Sequence, residues 1–241
     1  MVDQALQADS LKLYTNGSMP AMPDATLPRR TRRLALSRDS KTGRHHHNRY
    51  YPLLKFVGDS IKWCNGDGTT LPLSELTHNF GAATLSLEHG DAWNTEQPLW
   101  LTENQALFDR IDWLPKGTSA TLLYYGGYIH GRLLAWLCQR RRASHIIVFP
   151  DYDGVGLSLY ARLHQKLGNS CEFWLMPQWE QKLARYGNAR LWHKTSHLFT
   201  AVAASLPPSV RKLAEQMQRQ ELALEQEAVW LRTPEYLPSE A

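Results

Sequence analysis

Cysteine is scarce, with three among 241 residues, Cys64, Cys138 and Cys171. An odd number, placed inside apolar segments, excludes a disulfide-stapled scaffold and reads as reduced core residues of a cytosolic protein. Their positions also lack the close pairing of a cysteine-ligated metal site. Long hydrophobic runs are missing too. Every strand-like run is cut by a charge or a glycine within about ten residues, whereas about 20 apolar residues are needed to cross a bilayer. No leading apolar run of the signal-peptide kind is present. These absences lead to the expectation of a soluble, cytoplasmic protein without membrane association.

What is present centres on His145-Ile146-Ile147-Val148-Phe149-Pro150-Asp151-Tyr152-Asp153-Gly154-Val155-Gly156-Leu157. An apolar, β-branched run is followed by two carboxylates one residue apart and then by glycines that open a helical pattern. A buried parallel strand delivers acidic side chains to its carboxyl end in this way. Asp151 and Asp153 share a side if strand geometry persists, and two oxygen donors suit Mg²⁺, which keeps most of its waters. Asp-x-Asp-Gly is also ordinary turn chemistry after a strand. About fifty residues upstream, Pro98-Leu99-Trp100-Leu101-Thr102-Glu103-Asn104 repeats the design with one carboxylate. Between them, Ala120 to Tyr125 reads as a strand, Gly126-Gly127 as a turn and Ile129 to Cys138 as a helix. Leu157 to Leu167 reads as a further helix and Cys171 to Met176 as a fourth strand. Such alternation predicts an α/β fold, a parallel sheet with helices on both faces, with ligands gathering beyond the carboxyl ends of its strands.

Three details together resemble the Toprim fold: Thr102-Glu103-Asn104 with Phe108 after it, Gly126-Gly127 after the second strand, and Asp151-Tyr152-Asp153-Gly154-Val155-Gly156-Leu157. Within that fold the chain is most similar to the nuclease subunit of Wadjet-type, SMC-like plasmid-defence systems, and more distantly to the A subunit of type IIB topoisomerases. Leu224-Glu225-Gln226-Glu227 also looks like the acidic segment that closes the Wadjet nuclease chains, although taken by itself the segment reads first as a solvated Glu-rich helix. The resemblance covers residues 98 to about 180 and loosely the last helix; Wadjet-type nucleases carry larger amino-terminal regions. It implies a Mg²⁺-dependent DNA endonuclease, with Mn²⁺ as a substitute ion. Asp151 and Asp153 would hold the ion or ions, and Glu103 would be a further ligand or the general acid/base. The implied partners are double-stranded DNA, subunits of an SMC-like complex and a second copy in a homodimer. Two alternatives stay open: a type IIB topoisomerase-like strand breaker using Tyr50 or Tyr51, and a non-catalytic DNA-binding or assembly subunit.

The net charge of +4 is unevenly spread. Arg29, Arg30, Arg32, Arg33, Arg38, Lys41, Arg44 and Arg49 crowd a segment with prolines and few apolar residues, so residues 1–48 are expected to form a mobile basic arm that lies along phosphates. Arg140, Arg141 and Arg142 form a second candidate nucleic-acid contact, and Lys182, Arg185, Arg190, His193 and Lys194 a third cluster. An acidic centre with basic surroundings suits a metal-dependent nuclease. Residues 49–95 read as a separate small α+β module with a hairpin turn at Asn65-Gly66-Asp67-Gly68 and a helix over Leu73 to Phe80. Residues 96–241 read as the Toprim-like domain. Its end, Pro207 to Leu231, carries apolar residues every three or four positions apart from one gap at Glu221, which predicts a long helix. His45-His46-His47 cannot all face one ion in regular structure, and so reads as a polar turn.

Overall fold

The computed structural model describes residues 49–88 and 90–233, with Ala25, Thr26 and Arg32 before them. Of the basic arm, Arg29, Arg30 and Arg33 therefore lie outside the described residues, and Arg32 is a half-buried residue in helical conformation. The chain divides into two compact units, residues 1–48 and 49–241.

The second unit is built on one six-stranded sheet. Its strands are β1 (Leu53–Val57), β4 (Ala83–Thr84), β5 (Leu99–Thr102), β6 (Ala120–Tyr124), β7 (Ile146–Phe149) and β8 (Cys171–Phe173), in the spatial order β4-β1-β6-β5-β7-β8. β5 is parallel to both β6 and β7, and β7 is parallel to β8, whereas β1 pairs antiparallel with β6 and β4. Every residue of Leu99-Trp100-Leu101-Thr102 is buried, as are all but one in each of β6 and β7. Continuous burial is what a central parallel strand requires, because both of its faces are covered. The expected α/β class with a largely parallel sheet is present. Residues 49–95 are not a separate module, however: β1 runs alongside the whole of β6, from Leu53↔Tyr124 to Val57↔Ala120, as part of the same sheet. Only the hairpin of β2 (Trp63–Cys64) and β3 (Thr70–Leu71) stands apart as a two-stranded sheet, pinned by the Trp63 indole donating to Thr121 Oγ1 at 3.0 Å.

Seven α-helices connect and cover these strands among the described residues: α1 (Leu73–Phe80), α2 (Gln105–Asp109), α3 (Gly131–Gln139), α4 (Gly154–Leu167), α5 (Trp179–Tyr186), α6 (Ala189–Val202) and α7 (Pro208–Gln220). No helix there is long and apolar enough to cross a membrane. The long helix expected over Pro207 to Leu231 ends eleven residues early, since α7 stops at Gln220 and Glu221 adopts a left-handed conformation with φ 55°. The gap in apolar spacing at Glu221 marks that break. Beyond it the chain runs extended, bridges Tyr152 and Asn188, and closes in a 3-10 turn over Gln226–Trp230. Leu224 is thereby buried, whereas Leu231 is exposed.

Aromatic packing ties the central strands together. Trp174, after β8, meets Trp100 of β5 and Phe149 of β7 with ring centroids 5.5 Å and 4.6 Å away, and Trp113 packs on all three. Edge-on aromatic pairs of this kind contribute about 0.5–1.5 kcal/mol each beyond their burial. They fix β5 against β7, the pair of strands from which the candidate site projects.

Candidate functional site

The chain leaves β5 through α2 toward β6 on one side, and leaves β7 through α4 toward β8 on the other. β5 and β7 are neighbours, with Thr102 opposite Phe149, so their carboxyl ends form the point where the winding reverses. A crevice opens at such a point, and ligands of open α/β sheets bind there. Glu103 follows β5 directly, and Asp151 and Asp153 lie just past β7, all three at this edge.

Local chemistry explains the placement. Tyr152, between the two aspartates, turns into the core: it is fully buried, its hydroxyl donates to Trp174 O at 3.0 Å and accepts from Met176 N at 2.6 Å, and its backbone bridges Leu224 in both directions. That anchors the two aspartates on the other side of the chain. Asp153 caps α4, its carboxylate accepting from Gly156 N at 2.8 Å. The glycines around it are obligatory for space. A Cβ on residue 154 would sit 2.0 Å from Thr195 O, and one on residue 156 would sit 2.1 Å from Asp151 O.

The segment 224–227 completes the site, which sequence reading placed in a helix. Gln226 N donates to Asp151 Oδ1 at 2.8 Å, its amide donates to Phe149 O, and its side-chain oxygen accepts from Asn104 N at 3.2 Å. Fully buried, Gln226 thus stitches the ends of β5 and β7 together. Asn104, the cap of α2, also donates to Glu227. Glu225 and Glu227 are close enough to Asp151 to disfavour its charge.

Electrostatics at this edge are dominated by burial and like charge. Burial first, then the charges of Asp151 and Asp153, push Glu103 up to about 8, although the Tyr125 hydroxyl, donating at 3.5 Å, and the Asp151 backbone oppose this. Burial also pushes Asp151 to about 7 against the hydrogen bond from Gln226, with Asp153, Glu227 and Glu225 adding to the rise. Asp153 is raised by burial, opposed by the N–H groups of α4 and by the charge of Lys194. Tyr125, nearly buried beside Glu103, is held well above its ordinary range. Two carboxyls poised near neutrality lie where opposite charge is scarce, as at functional sites. The three carboxylates feel one another but do not close into a cage: among the described residues no group of three or more His, Cys, Asp and Glu side chains is gathered tightly enough to hold an ion. Asp151 and Asp153 each commit one oxygen to a backbone N–H. A cleft beside Glu103 is lined by Gly127, the exposed Tyr128, Val155, Arg162 and Leu198.

The basic residues divide differently from the sequence reading. Arg142 is no nucleic-acid contact. It is fully buried, paired with Asp91 at 2.9 Å, bonded to the carbonyls of Trp136, Asp91 and Trp93, and stacked over the Trp136 ring at 4.0 Å. Burial lowers its pKa to about 10 against the attraction of Asp91. Charge runs in sequence do not distinguish such a clamp from a solvated face. Arg140 and Arg141 are exposed, but they precede β7 and so lie at the opposite edge of the sheet from the carboxylates. Tyr50 is half-buried, its hydroxyl donating to Tyr125 O at 3.4 Å and its ring stacked 4.9 Å from His130; Tyr51 is exposed.

Residues 53–234 match a family model described as a domain of unknown function, DUF7281, and the chain belongs to that family. No curated protein matches the chain.

Proposed function

We propose that this DUF7281 protein is a Mg²⁺-dependent DNA endonuclease with a Toprim-like core, the cytoplasmic nuclease subunit of an SMC-like anti-plasmid complex. One observation carries the reading: Glu103 and the Asp151/Asp153 pair leave two adjacent parallel strands at the point where the winding reverses, with Glu103 and Asp151 raised by burial to about 8 and 7. A site with this uncompensated acidity gains most from a hard cation. The donor set fits one, since Mg²⁺ needs only one or two direct carboxylates and keeps its remaining waters. Asp151 and Asp153 would hold it through the oxygens not bonded to Gln226 N and Gly156 N, with Glu227 in reserve. The ion, when bound, would lower the pKa of a water and stabilise charge on the scissile phosphate.

The chain's own residues would do the rest. Glu103, protonated near neutrality and hydrogen-bonded by Tyr125, is suited to give a proton to the departing sugar oxygen and to recover one from the attacking water. Gln226 holds Asp151 and the end of β7 in register with Asn104. The Tyr50 hydroxyl donates to a backbone carbonyl, which favours hydrolysis over attack by Tyr50, and leaves the exposed Tyr51 as the tyrosine that a covalent intermediate would need.

The test is plasmid cleavage with Mg²⁺ or Mn²⁺, comparing wild type with Asp151→Asn, with and without partner subunits. Cleavage should fall by orders of magnitude in the variant, with no covalent protein–DNA adduct from wild type. Equal cutting by the variant at saturating Mg²⁺ would remove the acidic pair from the chemistry. A non-catalytic DNA-binding role is the second reading, favoured by Asp153 serving as a helix cap; it predicts metal-independent binding and no cleavage on any DNA topology.

A further inference from the structure

The exposed face of α6 has no explanation in the fold. Arg190, His193, Lys194 and His197 are all exposed and recur at the three- and four-residue spacing of one helical face. Among the described residues the side chains of Arg190, His193 and His197 make no hydrogen bond, ion pair or ring contact, and Lys194 has only Asp153 as a charge partner. α6 contains no Asp or Glu, and neither does α4, the helix it packs against most extensively. Arg190 also sits in the first turn of α6, where the helix dipole disfavours a cation. The pattern adds nothing to local stability, and a one-sided gathering of cations without local acids is what attracts an external anion.

The position of the face is fixed relative to the acidic site. Gly154, the first residue of α4, donates through its backbone N–H to Thr195 Oγ1 at 3.2 Å, and it leaves no room for a Cβ against Thr195 O. Thr195 is buried, and its neighbour Lys194 is near enough to Asp153 to favour that carboxylate's charge. Leu198 of α6 and Arg162 of α4 both line the cleft beside Glu103. Basic face and acidic cleft are thus one surface, joined at the turn of residues 153–154.

We propose that the exposed face of α6 is the track along which the phosphate backbone of duplex DNA enters the acidic cleft, with Arg190 and Lys194 as its ionic contacts, His193 and His197 as hydrogen-bond donors and Arg162 at the cleft rim. From residue 190 to 197 the helix rises about 10 Å, the axial rise of about three nucleotides of one strand. This inference rests on the nuclease reading and specifies its substrate surface, in place of the arginines at the opposite sheet edge.

The test is fluorescence anisotropy of a short labelled duplex over a salt series in EDTA. Arg190→Ala/Lys194→Ala should reduce the slope of log K against log salt by about 2, and weaken binding by one to two orders of magnitude at about 0.1 M salt. Arg190→Lys/Lys194→Arg should restore both. Asp151→Asn should bind at least as tightly as wild type with the same slope. If wild type binds duplex but the alanine pair keeps its slope, the track lies elsewhere and the nuclease reading stands. If wild type binds no duplex, or binds only single-stranded RNA, both fall.

Discussion

Replacing Glu103 by Gln removes one of the charges crowded at the sheet edge and nearly preserves the side chain's shape. Glu103 is displaced from 4.5 to about 8. The unfolded chain therefore releases this proton near its ordinary pKa, while the folded chain retains it until about 8. A carboxyl raised in this direction costs nothing below its unfolded pKa, costs progressively more between the two values, and costs the full amount above the folded one. Stability without divalent ions should accordingly fall as pH rises from about 5 to about 8.5. At ~1.4 kcal/mol per unit the ceiling is about 5 kcal/mol. Part of that comes from the charges of Asp151 and Asp153, and Asp151 itself, raised to about 7, changes protonation over the same range, so about 2–3 kcal/mol is the expectation for one substitution. In a domain of this size 1 kcal/mol moves the midpoint by about 2–4 °C.

Thermal melts in EDTA provide the assay. Glu103→Gln should melt with wild type at about pH 5 and roughly 4–12 °C above it at about pH 8.5. The gain arises because the amide keeps the Tyr125 hydrogen bond and carries no charge to bury. Parallel curves for the two proteins across the whole range would refute the reasoning, since the three carboxylates would then not be competing for protons. A wild type that becomes more stable as pH rises would refute it more strongly.

Millimolar Mg²⁺ should raise the wild-type midpoint more at about pH 8 than at about pH 6, because the ion competes with protons held by Glu103 and Asp151, and Asp151→Asn should lose most of that shift. Arg142→Met should cost about 3 kcal/mol in urea denaturation, as it leaves the partly buried Asp91 carboxylate with only the Trp136 indole and the Glu88 backbone N–H as donors, and a loss under about 1 kcal/mol would mean that the clamp is not stabilising. Gly156→Ala forces a methyl against Asp151 O and should lower stability by about 1–3 kcal/mol and abolish the Mg²⁺ shift; a variant with the wild-type midpoint and Mg²⁺ response would contradict the close approach.

The core strands and the three carboxylates were legible because each signal is local. Ile146 to Phe149 is apolar without alternation, the aspartates follow at once, and glycines open the next helix, so strand, site and helix start are read from one stretch. The β2–β3 hairpin and α1 were legible for the same reason. α5 and α6 were seen only as a cluster of positive charge. Their polar, aromatic-containing sequences hide a stripe made, in α6, of Trp192, Thr195 and Phe199, all three of residue types that also suit strands. Once the helix is known, the spacing 190, 193, 194 and 197 becomes informative, whereas in a linker it says nothing.

Gln226 shows where local reasoning stops. It lies in a segment whose apolar spacing continues that of α7, and its amide could serve any solvated helix. Its role comes from partners about 75 and 122 residues away, Asp151 and Asn104. The one local clue is the gap at Glu221, where the chain takes a left-handed turn and leaves the helix. That turn allows Leu224 to bridge Tyr152, and the bridge in turn carries Gln226 between the ends of β5 and β7. A residue that joins the two strands at the site should tolerate substitution poorly even though it touches no reacting atom. Gln226→Glu is the sharpest form of this argument, because it adds a further acid to an already acidic edge and removes the donor to Phe149 O. It should lower the midpoint more at about pH 8 than at about pH 5, the opposite of the Glu103→Gln effect.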